Sequence, residues 1–253
     1  MAKNFLESER YSIVKSWLGE KGFEPFGFQL ETWEKFGKNY SGMVIAPTGF
    51  GKTYSVFLAV ITDFLNNPDN YKDGLQLLWI TPLRALAKDI AKAMTEAIDE
   101  IGLDWKVAVR NGDTPQAERV SQTKKMPEIL IITPESLQLL LAQKNNHRFF
   151  KNLKCVAVDE WHELLGSKRG VLVELALSQI ISYQKKLKIW GITATIGNLD
   201  EAMEVLIPYP IKKTKVVAKE KKKIDIIPIF PDEVEILPWA GHLGAKLVDK
   251  VVP

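Results

Sequence analysis

The 253 residues include 34 Lys and Arg against 31 Asp and Glu, a formal net charge of +3, with 46% hydrophobic and 26% charged side chains. This composition is that of a soluble globular chain with enough apolar side chains for a sizeable core, and so slight a positive balance does not by itself argue for a polyanionic partner. The single Cys155 excludes an internal disulfide and a cysteine cluster for zinc, and no stretch reaches the ~18 apolar residues of a membrane span, so a reducing, cytoplasmic location without membrane contact is expected.

Along the chain, short apolar runs rich in β-branched residues recur. They are GMVIA (42–46), LQLLWI (75–80), WKVAV (105–109), EILII (128–132), LKCVAV (153–158) and LKIWGI (187–192). Each is apolar on both faces, as strands of a doubly covered parallel sheet are. Segments with helical spacing lie between them: 52–65, 83–101 and 170–181. In the second, Leu83, Leu86, Ile90, Met94, Ala97 and Ile101 recur at steps of three and four and predict one buried helix face. The alternation predicts an α/β domain, a mostly parallel sheet with helices on both faces. Many of the runs end in polar turn residues (APTG, TP, TP, DE, TAT), where open parallel sheets bind their ligands. Beyond about residue 210 the composition changes to a lysine-rich run (212–223) with several prolines, read as a solvated edge strand or two and then an extended connector. Cys155 inside its apolar run reads as a small buried hydrophobe.

APTGFGKT (46–53) follows a strand and opens a helix, the pattern of a phosphate-binding loop in its A-x-x-G-x-G-K-T form. The loop from Pro47 to Gly51 would ring a phosphate with the backbone N–H groups of residues 48–51, with Gly49 and Gly51 permitting the tight path. Lys52 reaches the terminal phosphates, and Thr53 offers a hydroxyl to Mg²⁺. VAVDEWHELLGSKRG (156–170) places Asp159, Glu160 and His162 just after an apolar run. These could be metal ligands, an acid/base pair or the magnesium side of a nucleotide site. The phosphate loop favours the last, with Asp159 toward Mg²⁺ and Glu160 free to polarise water. His162 then bridges the nucleotide site to a neighbouring element, and Trp161 packs.

With APTGFGKT and DEWH together, the chain resembles superfamily 2 helicases of the DExH type. EPFGFQLETW (24–33) resembles the element in which a glutamine reads adenine, making Gln29 the candidate with Phe26 or Phe28 beside it. TPLRALA (81–87), TPESL (133–137) and TAT (193–195) resemble motifs Ia, Ib and III. TPLRALAKDI, RNGDTPQAER, DEWHELLGSKRG, WGITATIGNLDEA and LPWAGHLG together resemble the Lhr group, most of all its bacterial ligase-associated DEXH-box branch.

The resemblance implies a RecA-like first motor domain, residues 1–210, leading through 211–253 toward a second one. It implies ATP and Mg²⁺ as ligands, with Phe26, Gln29, residues 47–53 and His162 around the nucleotide. It implies a single strand held by Thr81, Pro82, Arg84, Arg110, Gly112, Asp113, Thr114, Thr133 and Glu135, with Thr193, Ala194 and Thr195 coupling nucleotide to strand. DNA repair is the expected setting, with a DNA ligase and a nuclease as family partners. DNA is favoured over RNA; an RNA-remodelling ATPase, a signalling nucleotide switch, or a strand-binding module with little turnover are the alternatives. Residues 1–253 alone are expected to hydrolyse ATP slowly, because the second domain supplies the arginine fingers.

Overall fold

The computed structural model describes Leu6 and residues 8–220. The chain runs α1 (Glu9–Glu20), α2 (Gly27–Gly37), β1 (Ser41–Ile45), α3 (Lys52–Asn66), β2 (Leu77–Ile80), α4 (Arg84–Ile101), β3 (Val107–Arg110), α5 (Gln116–Lys124), β4 (Ile129–Ile132), α6 (Pro134–Leu141), α7 (His147–Phe150), β5 (Cys155–Val158), α8 (Trp161–Leu164), α9 (Lys168–Tyr183), β6 (Lys188–Thr193), α10 (Leu199–Leu206) and β7 (Lys213–Val217). All the strand pairs are parallel, in one seven-stranded sheet of order β3-β4-β2-β5-β6-β1-β7. The six expected strands are all present, displaced by at most two residues at either end.

The strand period of two divides each apolar run between two cores. Leu77, Trp79, Ile129, Ile131, Cys155, Ala157 and Trp190 join the helices α1–α4 on one face, while Leu78, Ile80, Leu130, Ile132, Val156, Val158 and Ile189 join α6 and α8–α10 on the other. Complete burial on both faces is why these runs lack polar alternation. Cys155 is fully buried, and desolvation pushes its thiol well above the usual range, so it packs as expected. Gly42 is required by its neighbour: a Cβ there would lie 2.7 Å from both the Trp190 ring and the Thr214 carbonyl oxygen.

Two features depart from the sequence reading. Leu83, expected on the buried face of α4, is its N-cap and is half exposed, while Ala87 and Ile98 take buried places instead. The helix starts one residue later than the periodicity suggested, so its first apolar residue lies outside the helical repeat. Helix α1 carries no strong apolar stripe, yet Tyr11, Val14, Trp17 and Leu18 are buried, and Ser8 caps it by accepting from Tyr11 N–H at 3.1 Å.

The lysine-rich stretch contributes β7, an edge strand paired with β1, and Lys213 and Lys215 are ion-paired with Glu204 and Asp200. Of the edge strands and connector expected over 211–253, residues 221–253, including PWAGHLG, lie outside the described residues. Among the described residues no helix is long and apolar enough to cross a membrane.

Candidate nucleotide and nucleic-acid site

The strand order decides which motifs meet. β5, β6 and β1 are adjacent, so Asp159, Thr193 and the loop 46–53 leave the sheet side by side at its carboxyl edge. β3, β4 and β2 are adjacent in the other half, so Arg110, Thr133 and Thr81 end together on the same edge.

In the first set, Gly49 (φ +92°) and Gly51 (φ +69°) hold the left-handed backbone that turns β1 into α3, with Gly51 as N-cap. Thr48 and Gly49 are exposed, Pro47, Phe50 and Thr53 half-buried. Lys52 is 8% exposed, and its Nζ, with no hydrogen-bond partner, lies 3.7 Å from Glu160 Oε1. Asp159 is buried; desolvation, followed by the adjacent Glu160 carboxylate, pushes its carboxyl up to about 6. Its Oδ1 accepts from Glu160 N–H at 3.0 Å.

Glu160 is a non-glycine residue at φ +46°, a conformation costing ~1–3 kcal/mol that persists where the surroundings impose it. As the N-cap of α8, this turn sets its carboxylate between Lys52 and His162, whose Nδ1 is 3.4 Å from Glu160 Oε2. The same Nδ1 lies 2.9 Å from Thr193 Oγ1, and the Thr193 hydroxyl donates to Thr195 O at 3.3 Å. A hydroxyl already donating offers Nδ1 only a lone pair, so the fitting tautomer carries its proton on Nδ1. Thr193 is fully buried, Ala194 half-buried and Thr195 exposed. Trp161 is fully buried and donates its indole N–H to Ala202 O at 3.0 Å.

Gln29 spans the base of the loop: its Oε1 accepts from Phe26 N–H at 2.9 Å and its Nε2 donates to Gly51 O at 3.0 Å. Phe26 sits between Phe28 and Phe50, with ring centroids at 5.9 and 5.3 Å. Beside them a cavity of about 410 Å³ opens, walled by Trp17, Phe23, Phe26, Phe50 and Tyr54. Trp17 belongs to α1 and is fixed to α4 by donating its indole N–H to Glu100 at 2.7 Å. A buried cation without a hydrogen-bond partner among the described residues, positive-φ glycines and an aromatic cavity one loop away form a set that fits a nucleoside triphosphate.

In the second set, Arg84, at the start of α4, is exposed and ion-paired with Asp113 at 3.1 Å, its guanidinium stacked on Gly112. Thr114 accepts from Asn111 N–H and donates to Val109 O, closing the loop, and Glu135 is paired with Arg169 at 2.5 Å. Arg84, Gly112, Asp113 and Glu135 are at the surface. Thr81, Pro82, Thr133 and Arg110 are buried, Thr133 donating to Ser136 Oγ and Arg110 turned toward α5, where it donates to Arg119 O.

Two arginines went unnoticed in the sequence. Arg119 fixes the 111–114 loop through the carbonyl oxygens of Asn111, Gly112 and Thr114, and Arg169 grips Glu135 with two nitrogens. Both lie within stretches whose pattern was recognised, and a basic residue just past a polar loop was the available signal.

A RecA-like sheet with a phosphate loop after β1 and an Asp-Glu pair after β5, with β6 between them, defines a class of nucleotide-driven motor domains. The chain belongs to the DEAD/DEAH box helicase family, which matches residues 27–202. Among its relatives is the ATP-dependent helicase Lhr-Core of Methanocaldococcus jannaschii, 32% identical over 98% of this chain and 31% of that protein. Among solved structures, the Mycobacterium smegmatis helicase Lhr bound to ssDNA and AMP-PNP is 29% identical, with a TM-score of 0.74 over 88% of this chain and 29% of that one. The DUF1998 helicase MrfA bound to DNA and AMPPNP is 26% identical, with a TM-score of 0.70 over 85% of this chain and 29% of that one. The chain spans 31% of the length of the first curated relatives it matches.

Proposed function

We propose that this domain binds and hydrolyses ATP with Mg²⁺ while gripping a single strand, DNA in preference to RNA, as part of a longer helicase working in the cytoplasm in DNA repair. The observation that carries the reading is Lys52, a buried ammonium 3.7 Å from Glu160, without a hydrogen-bond partner among the described residues and beside the positive-φ turn of the loop. A buried charge with one distant counter-charge and no hydrogen bond is costly, and a terminal phosphate offsets that cost. Loop N–H groups and the start of α3 bind the phosphates, Gln29 and Phe26 hold the base, and His162 links the site to Thr193.

Thr53 and Asp159 would hold the metal, which when bound supplies positive charge against the phosphate oxygens. One carboxylate and one hydroxyl suffice for an ion that keeps several waters, and among the described residues no group of three His, Cys, Asp or Glu competes for that role. Glu160 accepts the proton of the attacking water, its carboxylate positioned by the left-handed turn. Thr193, Ala194 and Thr195 couple this event to the strand.

The strand lies along Arg84, Gly112, Asp113, Thr114 and Glu135. Buried Thr81, Pro82, Thr133 and Arg110 contribute by shaping the loops and through backbone groups. Residues 1–210 form the motor domain proper and 211–253 lead toward a second RecA-like domain. The likeness of DEWHELLGSKRG to the ligase-associated branch supports a DNA ligase and a nuclease as partners.

Replacing Lys52 with Ala tests the reading by nucleotide titration. Loss of a buried charge-assisted contact predicts at least ~10-fold weaker ATP binding. Affinity equal to wild type would refute the nucleotide site.

A further inference from the structure

On the flank of the sheet, away from the loop 46–53, a groove of about 430 Å³ runs between α5 and α6–α7. Its lining contains four cations, Arg110, Arg119, Lys124 and Arg148, and no carboxylate. None of the four is in an ion pair among the described residues. Arg110 is the informative one. It is 6% exposed, and a single nitrogen, NH1, makes both of its hydrogen bonds, to Arg119 O at 3.0 Å and Gln122 Oε1 at 3.3 Å. Burial and the like charge of Arg119 both disfavour its protonated form. The nearest acid in this network, Glu118, is engaged by Gln122 Nε2. A guanidinium stays charged in proteins, so a buried one facing a groove without a counter-charge calls for an anion from outside.

The groove's shape and walls select the source. Val120 and Leu139, 43% and 61% exposed, face it as apolar lining, and no aromatic ring is present on which a base could stack. A carboxylate on a flexible side chain can reach a guanidinium that is 6% exposed between two helices, with an aliphatic neighbour seated between Val120 and Leu139. We propose that the α5–α6 groove docks a short acidic segment of a protein, its carboxylates meeting Arg110, Arg119, Lys124 and Arg148 and one aliphatic side chain lying between Val120 and Leu139. This surface is separate from the nucleotide site and stands or falls independently of it.

The test is backbone-amide NMR of the full chain titrated separately with acetyl-(Glu-Glu-Leu)₃-amide and with oligo-dT. The peptide should shift amides of α5 and of residues 139–148, and added salt should weaken the effect. Reversing the two exposed rim charges, Lys124→Glu with Arg148→Glu, should weaken peptide binding about tenfold or more and leave ATP binding unchanged. Leu139→Gln, which leaves all four cations in place, should weaken it as well. The proposal is overturned if the peptide leaves the groove amides unmoved, or if it binds the charge-reversed variant as well as wild type. Shifts of the groove by oligo-dT and not by the peptide would also overturn it, and would assign the groove to nucleic acid.

Discussion

Asp159→Asn should make the domain more stable at neutral pH even though it removes a functional carboxylate. In the unfolded chain an aspartate titrates near ~3.9, whereas burial and Glu160 push Asp159 up to about 6. Below about pH 4 the acid is protonated in both states and the native fold carries no penalty. Between about pH 4 and 6 the native state binds the extra proton, so stability falls as pH rises; above about pH 6 the full cost is present. The gap of roughly two units corresponds to ~3 kcal/mol at about pH 7.5 and ~1 kcal/mol at about pH 4.5. Asparagine is isosteric and keeps one acceptor for Glu160 N–H, now 3.0 Å from Asp159 Oδ1. Denaturant unfolding of wild type and variant, in EDTA at both pH values, reads Asp159 together with its coupling to the adjacent Glu160 carboxylate, the other titrating groups being common to the two proteins. The variant's advantage should grow by ~2 kcal/mol from the lower pH to the higher. An advantage independent of pH, or a variant less stable than wild type at about pH 7.5, would refute the argument that Asp159 is held as a costly charge.

Two further outcomes follow from the site. Glu160→Gln should keep nucleotide binding and slow single-turnover hydrolysis by ~10²–10⁴, the usual contribution of a positioned base; parallel loss of binding and hydrolysis would mean that Asp159 and Glu160 have each other's roles. Gln29→Ala should weaken ATP most and a base-less ribose triphosphate to a smaller degree, because Gln29 also ties Phe26 N–H to Gly51 O. Equal losses for the two ligands would eliminate the adenine contact, and a loss confined to ATP would eliminate the bridge.

What was legible in the sequence is what local periodicity and spacing record. Runs such as EILII and LKCVAV declare buried strands because both faces are apolar, and the turn residues after them mark the functional edge. Strand order leaves no such trace. Nothing in the linear pattern places β1 between β6 and β7, although that pairing brings Lys52 within 3.7 Å of Glu160, more than 100 residues away in the chain. Nor does a residue type reveal which way a strand's last side chain points. Arg110 and Thr133 are placed on the nucleic-acid rim by the family resemblance alone, and both are buried. Helix α1 escaped notice because its buried face is made of two aromatics and two aliphatics among charges, a weak stripe that becomes stable only against α3 and α4.

The sheet also connects the proposed nucleotide site to the proposed strand site. Pairing of β2 with β5 sets Ile80 opposite Val158, and Asp159 N–H donates to Ile80 O at 2.8 Å. Thr81, on the nucleic-acid half, therefore leaves the sheet beside Asp159, on the nucleotide half. A second path runs from Glu160 through His162 to Thr193 and on to the Thr195 carbonyl. The first path is a rigid backbone ladder, which can transmit only a shift of whole strands. The second consists of side chains on a strained turn and a strand-end loop, where a change of partner at Glu160 moves a proton donor and leaves the core intact. On the proposed function, nucleotide state would be read through His162, while the β2–β5 seam would keep the two halves in register.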